Sequence, residues 1–542
     1  MNSTKTLNIS LNNSSFAKKI SQFWARYHVS IIITLLIIAS VFAFGVYYLN
    51  GLGLSYNDAR SHLDIGRRVV EGLKPGLAQL GSVWLPLPHI LMVPTIWNDF
   101  FWHSGLSGAI QSMVSFVTTA VIIYMFLKKI GVSIFGRIIG VLIFTLNLNI
   151  LYLQSTAMTE LLLIATMTTG VYYLMLWSKD ERILDLIKSA FFVMLSTLVR
   201  YDGWFLLILS IILIAIEVLR KKGYKVTEGT VILFATLAGF GVALWFLWNL
   251  LIFKDALYFI YGPYSARAQQ LQLEEAGVLA TKGDIFFSTK VYLYALLYSS
   301  NAFITILGSI GAVIFWLDKK IKTSIKIVST ALFAPLAFNI LALYLGHSVL
   351  FVQGLSGDTW FNVRYGVMMM PPIAIFVGYL THKATSLKYV LVGLITFVLF
   401  FSFVNLDAVT IDDARVGSSQ KNVSEVSNWL KNNADKDGFI LISAASHDAI
   451  IFSSGFPMSK FIHEGTGAYW ESATISPDRW ARWIVMRTND VNDSTFKLVS
   501  ESKAYELGRY TLVNHYPFAD IYEIKPEFVE NLNTEFSIRI SK

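Results

Sequence analysis

Four charged residues stand where long apolar runs begin or end: Asp58, Glu160, Arg200 and Arg364. Asp58 opens the stretch SYNDARSHLDIGRRVVEG, whose periodicity is helical. With Ser55 or Asn57 as cap, it lies in the first turn, where a helix N-terminus favours a carboxylate. Ser61, His62 and Ile65 share its face, while Arg60, Asp64, Arg67, Arg68 and Glu71 can pair on the others. Asp58 is thus a general base or a ligand of a metal–phosphate group at a membrane surface, or one charge on a capped amphipathic helix lying in the interface. Glu160 follows the polar turn Gln154, Ser155, Thr156 and starts an apolar run. An acid there either caps its helix, with Thr156 or Thr159, or faces a wet cavity. Two such carboxylates on one side can share a proton, a divalent cation or a phosphate-linked substrate.

Arg200, Tyr201 and Asp202 form a tight turn, and Arg364 and Tyr365 open NVRYGVMMMPP. A guanidinium fork matches phosphate bidentately and stays charged; snorkelling to lipid headgroups is the other account of an arginine at a helix end. His62, His89, His103 and His347 fall on the same side, without the spacing of a metal signature, and His62 is the preferred one. The segment 254–290 brings Tyr258, Tyr261, Tyr264, Arg267, Gln269 and Gln270, suited to a sugar or a lipid head, or to an ordinary interfacial helix. No GxxxxGK[ST] loop, strand-following GxGxxG or GxSxG elbow occurs, so nucleotide hydrolysis is not the driving chemistry. The absence of cysteine removes disulfides and thiolate chemistry.

What must position these residues is a bilayer. Of 542 residues 54% are hydrophobic and 15% charged, and the mean hydropathy is +0.55. The net charge of +8 sits in short clusters between apolar runs, which suits an anionic leaflet rather than nucleic acid. Apolar runs of spanning length predict eleven helices, near 29–49, 106–127, 133–151, 158–177, 184–200, 203–220, 228–253, 291–317, 324–346, 365–381 and 388–406. Lys18, Lys19 and Arg26 precede the first, which reads as an uncleaved anchor with a cytoplasmic, unstructured segment 1–28. Alternate connections then carry Lys128/Lys129, Lys179/Arg182/Lys188, Arg220/Lys221/Lys222/Lys225, Lys319/Lys320/Lys322/Lys326 and Lys383/Lys388. Under the positive-inside rule these are cytoplasmic. Asp58, Glu160, Arg200 and Arg364 then fall outside, with a long first outer loop over 50–105. Residues 407–542 change to charged, turn-rich sequence with β-rich runs at 439–443 and 484–487 and a helix-like run at 423–432, predicting a small extracytoplasmic α/β domain.

The order of these motifs resembles the lipid-dependent membrane glycosyltransferases of the GT-C superfamily, including its protein O-mannosyltransferase and aminoarabinose-transferase branch. The resemblance rests on Asp58 opening the first outer loop, the proline-punctuated re-entry WLPLPHILMVP (Pro86, Pro88, Pro94), Glu160 in TAMTELLL, the LVRYDG turn, and Arg364–Tyr365 before Pro371–Pro372. It implies a polytopic helical body over 29–406, a polyprenyl-phosphate sugar donor, and inverting transfer of one sugar to a glycan, lipid or protein acceptor at the outer face of the plasma membrane. Asp58 would be the base, Glu160 a second acid, and Arg200, Arg364 and Tyr365 the phosphate site. Further substrate or metal contacts would come from His62, His89, Arg60, Asp202 and Arg267. Two departures leave metal dependence open. Asp58 is a single Asp where the family has a paired Asp-Glu, and Trp84 and Leu85 precede the prolines where the aminoarabinose branch carries an acid and a lysine. GAYWES without a WWD-type motif argues against an oligosaccharyltransferase. A transporter or lipid flippase, or a non-catalytic envelope assembly protein, is the alternative.

Overall fold

Inside hydrocarbon a backbone has no water to bond, so apolar runs close their own N–H and C=O groups as helices. The computed structural model describes residues 13–262, 265–275, 277–416, 420–435 and 437–533. Among these, eight helices are long and apolar enough to cross a membrane: Tyr27–Leu49, Leu106–Lys129, Glu160–Asp180, Asp202–Lys222, Tyr224–Phe253, Thr323–Tyr344, Val363–Lys383 and Thr385–Arg415. A ninth span is the pair Ile285–Ser300 and Ala302–Leu317, bent by 107°. The bend falls at Asn301, whose φ is +69°. The protein is a multi-pass membrane protein.

The expected eleven are thus eight or nine by this measure. The two that fall short, 133–151 and 184–200, contain helices Ile134–Thr145 and Ile183–Thr197, of 12 and 15 residues. At 1.5 Å per residue these helices reach about 18 and 23 Å, and the first is followed by the short helix Leu148–Leu153; both segments run from the Lys129–Asp180 end of the bundle to the Glu160–Arg200 end. Both are laid against longer helices. Ser189 Oγ donates to Gly170 O at 2.8 Å, and a Cβ on Gly136 would meet Gly378 O at 2.6 Å. The first helix also differs: it starts at Asn13, inside the segment expected to be unstructured, while residues 1–12 lie outside the described residues.

The bundle has two chemically distinct ends. At one, Lys129 pairs with Asp180 at 2.8 Å, Lys222 with Glu181 at 2.6 Å, Lys221 with Glu217 at 2.8 Å, and Lys383 with Asp318. The lysine-rich connections therefore end their helices away from Glu160, Arg200 and Arg364, which start theirs at the other end.

Beyond the last span lies a five-stranded mixed sheet in the order β2-β1-β3-β5-β4. Its strands are β1 (Phe439–Ile442), β2 (Phe461–Ile462), β3 (Ala481–Met486), β4 (Tyr510–His515) and β5 (Asp520–Ile524). β1 is parallel to β2 and β3, with Leu441 opposite Ile484, and β5 is antiparallel to β3 and β4. Every residue of β1 is buried, as expected of a parallel strand covered on both faces. Helix Ala444–Ser454 follows β1 and packs on helix Asn57–Val70 of the first loop. There Arg68 Nη1 lies 2.8 Å from Asp448 Oδ1, Met458 N donates to Glu71 Oε1 at 3.0 Å, and Phe452 meets Trp102 edge-on at 5.9 Å. One side of the loop helix is thereby fixed to the sheet domain, and its N-terminus is free to face the bundle.

Candidate functional site

Asp58 is in the first turn of helix Asn57–Val70, but the N-cap is Tyr56 rather than Ser55 or Asn57. Glu160 likewise opens its helix after Thr159, whose side chain caps nothing. Instead Thr159 Oγ1 accepts from Arg200 Nη1 at 3.4 Å. Capping therefore does not account for either acid. What they share is Arg364.

The guanidinium of Arg364 has a different carboxylate at each of its three nitrogens. Nη2 lies 2.5 Å from Asp58 Oδ2, Nε 3.1 Å from Glu160 Oε1, and Nη1 3.9 Å from Asp413 Oδ2. Arg200 approaches the same Glu160 oxygen with Nη1 at 3.3 Å and Asp202 Oδ2 with Nε at 3.4 Å. Tyr365 sits between the two cations, its ring 4.8 Å from the Arg200 guanidinium and 5.4 Å from that of Arg364, and Tyr56 covers Arg364 at 4.8 Å. The Arg364, Glu160, Asp202 and Asp413 side chains are at most 5% exposed, whereas that of Asp58 is 44% exposed, so the cluster opens at Asp58. Glu160 Oε2 and Asp202 Oδ1 are buried without a hydrogen-bond partner among the described residues. The site thus has acceptors to spare.

His62 lies one turn after Asp58 and is buried. Its Nδ1 is 2.9 Å from His89 Nε2, and its ring packs 4.3 Å from that of Trp84. Burial first, then the charges of Arg200 and Arg364, pull His62 down to about 3, so it is neutral beside the cluster. Arg60, on another face, buries Nε and Nη1 without a hydrogen-bond partner among the described residues and does not join the cluster. Arg267 is exposed, over the Tyr261 ring at 5.2 Å, and is not brought to the site. His347 is exposed near Gln270, His103 packs against Trp102 and Phe452, and Tyr264 lies outside the described residues. One turn further along the same helices, a narrow apolar crevice of about 20 Å³ is lined by Leu163, Ile164, Met167, Met368 and Pro372 among others.

Among the described residues, no group of three or more histidines and carboxylates is placed to hold a metal ion. The residues missed in the sequence are Asp413, Tyr56 and Asn362. Asp413 Oδ2 accepts from Tyr56 OH at 3.0 Å and its Oδ1 from Asn362 N at 3.2 Å. A signal was present, since TIDDAR begins just after the last apolar run, at the end where the other acids stand.

A two-ended helical bundle with a mixed α/β domain after the last span makes a GT-C-like fold. Among solved structures, ArnT from Cupriavidus metallidurans bound to undecaprenyl phosphate is similar to this chain, with a TM-score of 0.52 and 9% identity over 90% of this chain and 98% of that one. Its apo state gives 0.52 at 10% identity over the same shares. The archaeal oligosaccharyltransferase AglB from Archaeoglobus fulgidus, in complex with an inhibitory peptide and a dolichol-phosphate, gives 0.49 at 10% identity over 85% of this chain and 69% of that one. No protein-family profile and no curated protein matches the chain. At such identity the likeness is one of fold.

Proposed function

We propose that this protein is a membrane glycosyltransferase that moves one sugar from a polyprenyl-phosphate donor to a glycan, lipid or protein acceptor at the outer face of the membrane. The observation that carries this reading is Arg364 joined to Asp58 and Glu160, acids from two other segments, with Arg200 beside them. The lysine-rich far end supports an outward site, through the positive-inside rule. The fold likeness to ArnT, whose structure holds undecaprenyl phosphate, supports the donor class.

In this mechanism the donor phosphate takes the free N–H groups of Arg364 and Arg200. A guanidinium has five N–H donors, and the hydrogen bonds to Asp58 and Glu160 leave Arg364 three. Phosphate binding draws Arg364 away from Asp58, the accessible acid, whose carboxylate then takes the proton of the acceptor hydroxyl. The acceptor oxygen bonds to the anomeric carbon from the side opposite the phosphate. The carbon–oxygen bond to phosphate breaks, its electron pair leaves with the polyprenyl phosphate, and the configuration inverts. The two arginines neutralise the charge that develops on the leaving phosphate, and Glu160 keeps both aimed.

The test is transfer of radiolabelled sugar from polyprenyl-phosphate by purified protein, with envelope extract as acceptor. Asp58→Asn lowers transfer by a factor on the order of 10² to 10⁴ while the melting temperature stays near that of the unsubstituted protein. Undiminished transfer would sink the assignment of Asp58 as base.

A further inference from the structure

The cluster holds more acid than base. Two guanidinium groups, of Arg200 and Arg364, face four carboxylates, and three of these are buried. Buried charges are ordinarily paired, so surplus acid at a site read as one for an anion calls for a reason.

Asp413 is the acid whose placement is most firmly built. Its Oδ1 accepts from Asn362 N, and its Oδ2 shares the single Tyr56 hydroxyl proton, at 3.0 Å, with Thr410 O at 2.8 Å. Its helix, Val409–Val416, is pinned to the bundle by Thr410 N and Thr410 Oγ1, which both donate to Asn149 Oδ1, at 3.0 and 2.9 Å. None of these bonds involves Arg364. When an anion reaches Arg364, the exposed Asp58 can turn toward solvent, but Asp413 stays.

We propose that Asp413 is a fixed counter-charge to Arg364, a positioning residue that weakens the site's hold on lipid phosphate so that the polyprenyl-phosphate product can leave. The inference rests on the glycosyltransferase reading. An immovable carboxylate 3.9 Å from Nη1 competes for the guanidinium that a phosphate needs, and repels that phosphate across it. With an effective dielectric of about 20 for such sites, removing that charge tightens phosphate binding by a factor on the order of ten. A side chain that served only to pack or brace Arg364 would give the opposite sign, because losing it would let the guanidinium wander and weaken binding.

The experiment measures binding of undecaprenyl phosphate to the full-length protein in nanodiscs, with donor KM and kcat alongside. Asp413→Asn and Asp413→Ser each tighten binding and lower donor KM by about tenfold. Their kcat falls as product release becomes limiting, and a burst of first-turnover product appears. Asp413→Glu, which restores the charge, brings the affinity back toward that of the unsubstituted protein. Unchanged or weaker binding in the two neutral variants overturns the inference, and so does failure of both to fold, since a residue kept for repulsion is not needed to fold. If the unsubstituted protein binds no undecaprenyl phosphate, the glycosyltransferase reading itself falls.

Discussion

Replacing Arg364 by Lys separates charge from shape at the centre of the cluster. The ammonium keeps the positive charge among Asp58, Glu160 and Asp413, so no buried acid loses its only nearby cation. What disappears is the planar fork, with carboxylates at three nitrogens and three N–H groups that the proposed function gives to phosphate. A lysine at this place reaches one of the acids or the phosphate, not all of them. The loss on the donor side is one charge-assisted hydrogen bond of a bidentate pair, about 1.5–3 kcal/mol. At about 1.4 kcal/mol per decade this is roughly a 10- to 150-fold rise in donor KM. Arg364→Ala goes further, because it leaves Glu160, fully buried, with only Arg200 at 3.3 Å and Asp413 with hydrogen bonds alone. Removing one partner of a buried ion cluster costs about 3–5 kcal/mol, so the Ala variant melts well below the Lys variant. The assay is steady-state transfer over a range of donor concentrations, with thermal melts of both variants in the same detergent. A Lys variant whose donor KM stays within threefold would refute the idea that Arg364 grips phosphate, and equal melting of the two variants would refute the buried-charge account.

Two further outcomes follow from the first loop. His62 is held neutral, down at about 3, so the folded state binds fewer protons than the unfolded one and the contribution of His62 to stability is present above about pH 6.5 and lost as pH falls toward 3. Melting temperature should therefore drop between pH 7 and pH 5, and His62→Gln should flatten that slope by up to about 1.4 kcal/mol per pH unit; an unaltered slope would show that other groups carry the effect. Arg68→Ala should loosen the sheet domain from the loop helix, because it leaves Asp448 beside Asp64 in a buried interface where burial already pushes both carboxyls up. The cost is about 2–4 kcal/mol, read as faster proteolytic release of a C-terminal fragment, and the double variant Arg68→Ala with Asp448→Ala should cost less than the sum of the single ones.

Much of the fold was legible because hydrophobic run length and the placement of lysines are local properties. The runs at Leu106, Glu160, Asp202, Tyr224 and Val363 became helices near their expected bounds, and the β-rich runs at 439 and 484 became neighbouring parallel strands. The runs 133–151 and 184–200 still carry the chain from the Lys129–Asp180 end to the Glu160–Arg200 end, but as shorter helices packed against Val363–Lys383 and Glu160–Asp180. Capping at Asp58 and Glu160 was a local expectation that failed for a long-range reason, since arginines from distant segments supply the partners that caps would have supplied.

For the site, the sequence by itself determined which residues stand at the ends of apolar helices, and so which charges could meet at a membrane surface. It marked Asp58, Glu160, Arg200 and Arg364 because a charge at the edge of an apolar run is conspicuous wherever the chain later goes. It could not say that Arg364 would take a carboxylate at each nitrogen, two of them from positions 306 and 204 residues earlier. Nor could it raise Asp413 above the other acids of the tail, or leave Arg60 and Arg267 out. Those choices belong to tertiary structure, because an ion pair in a buried site forms only where packing removes water and brings the partners within about 4 Å, and no spacing along the chain encodes that distance.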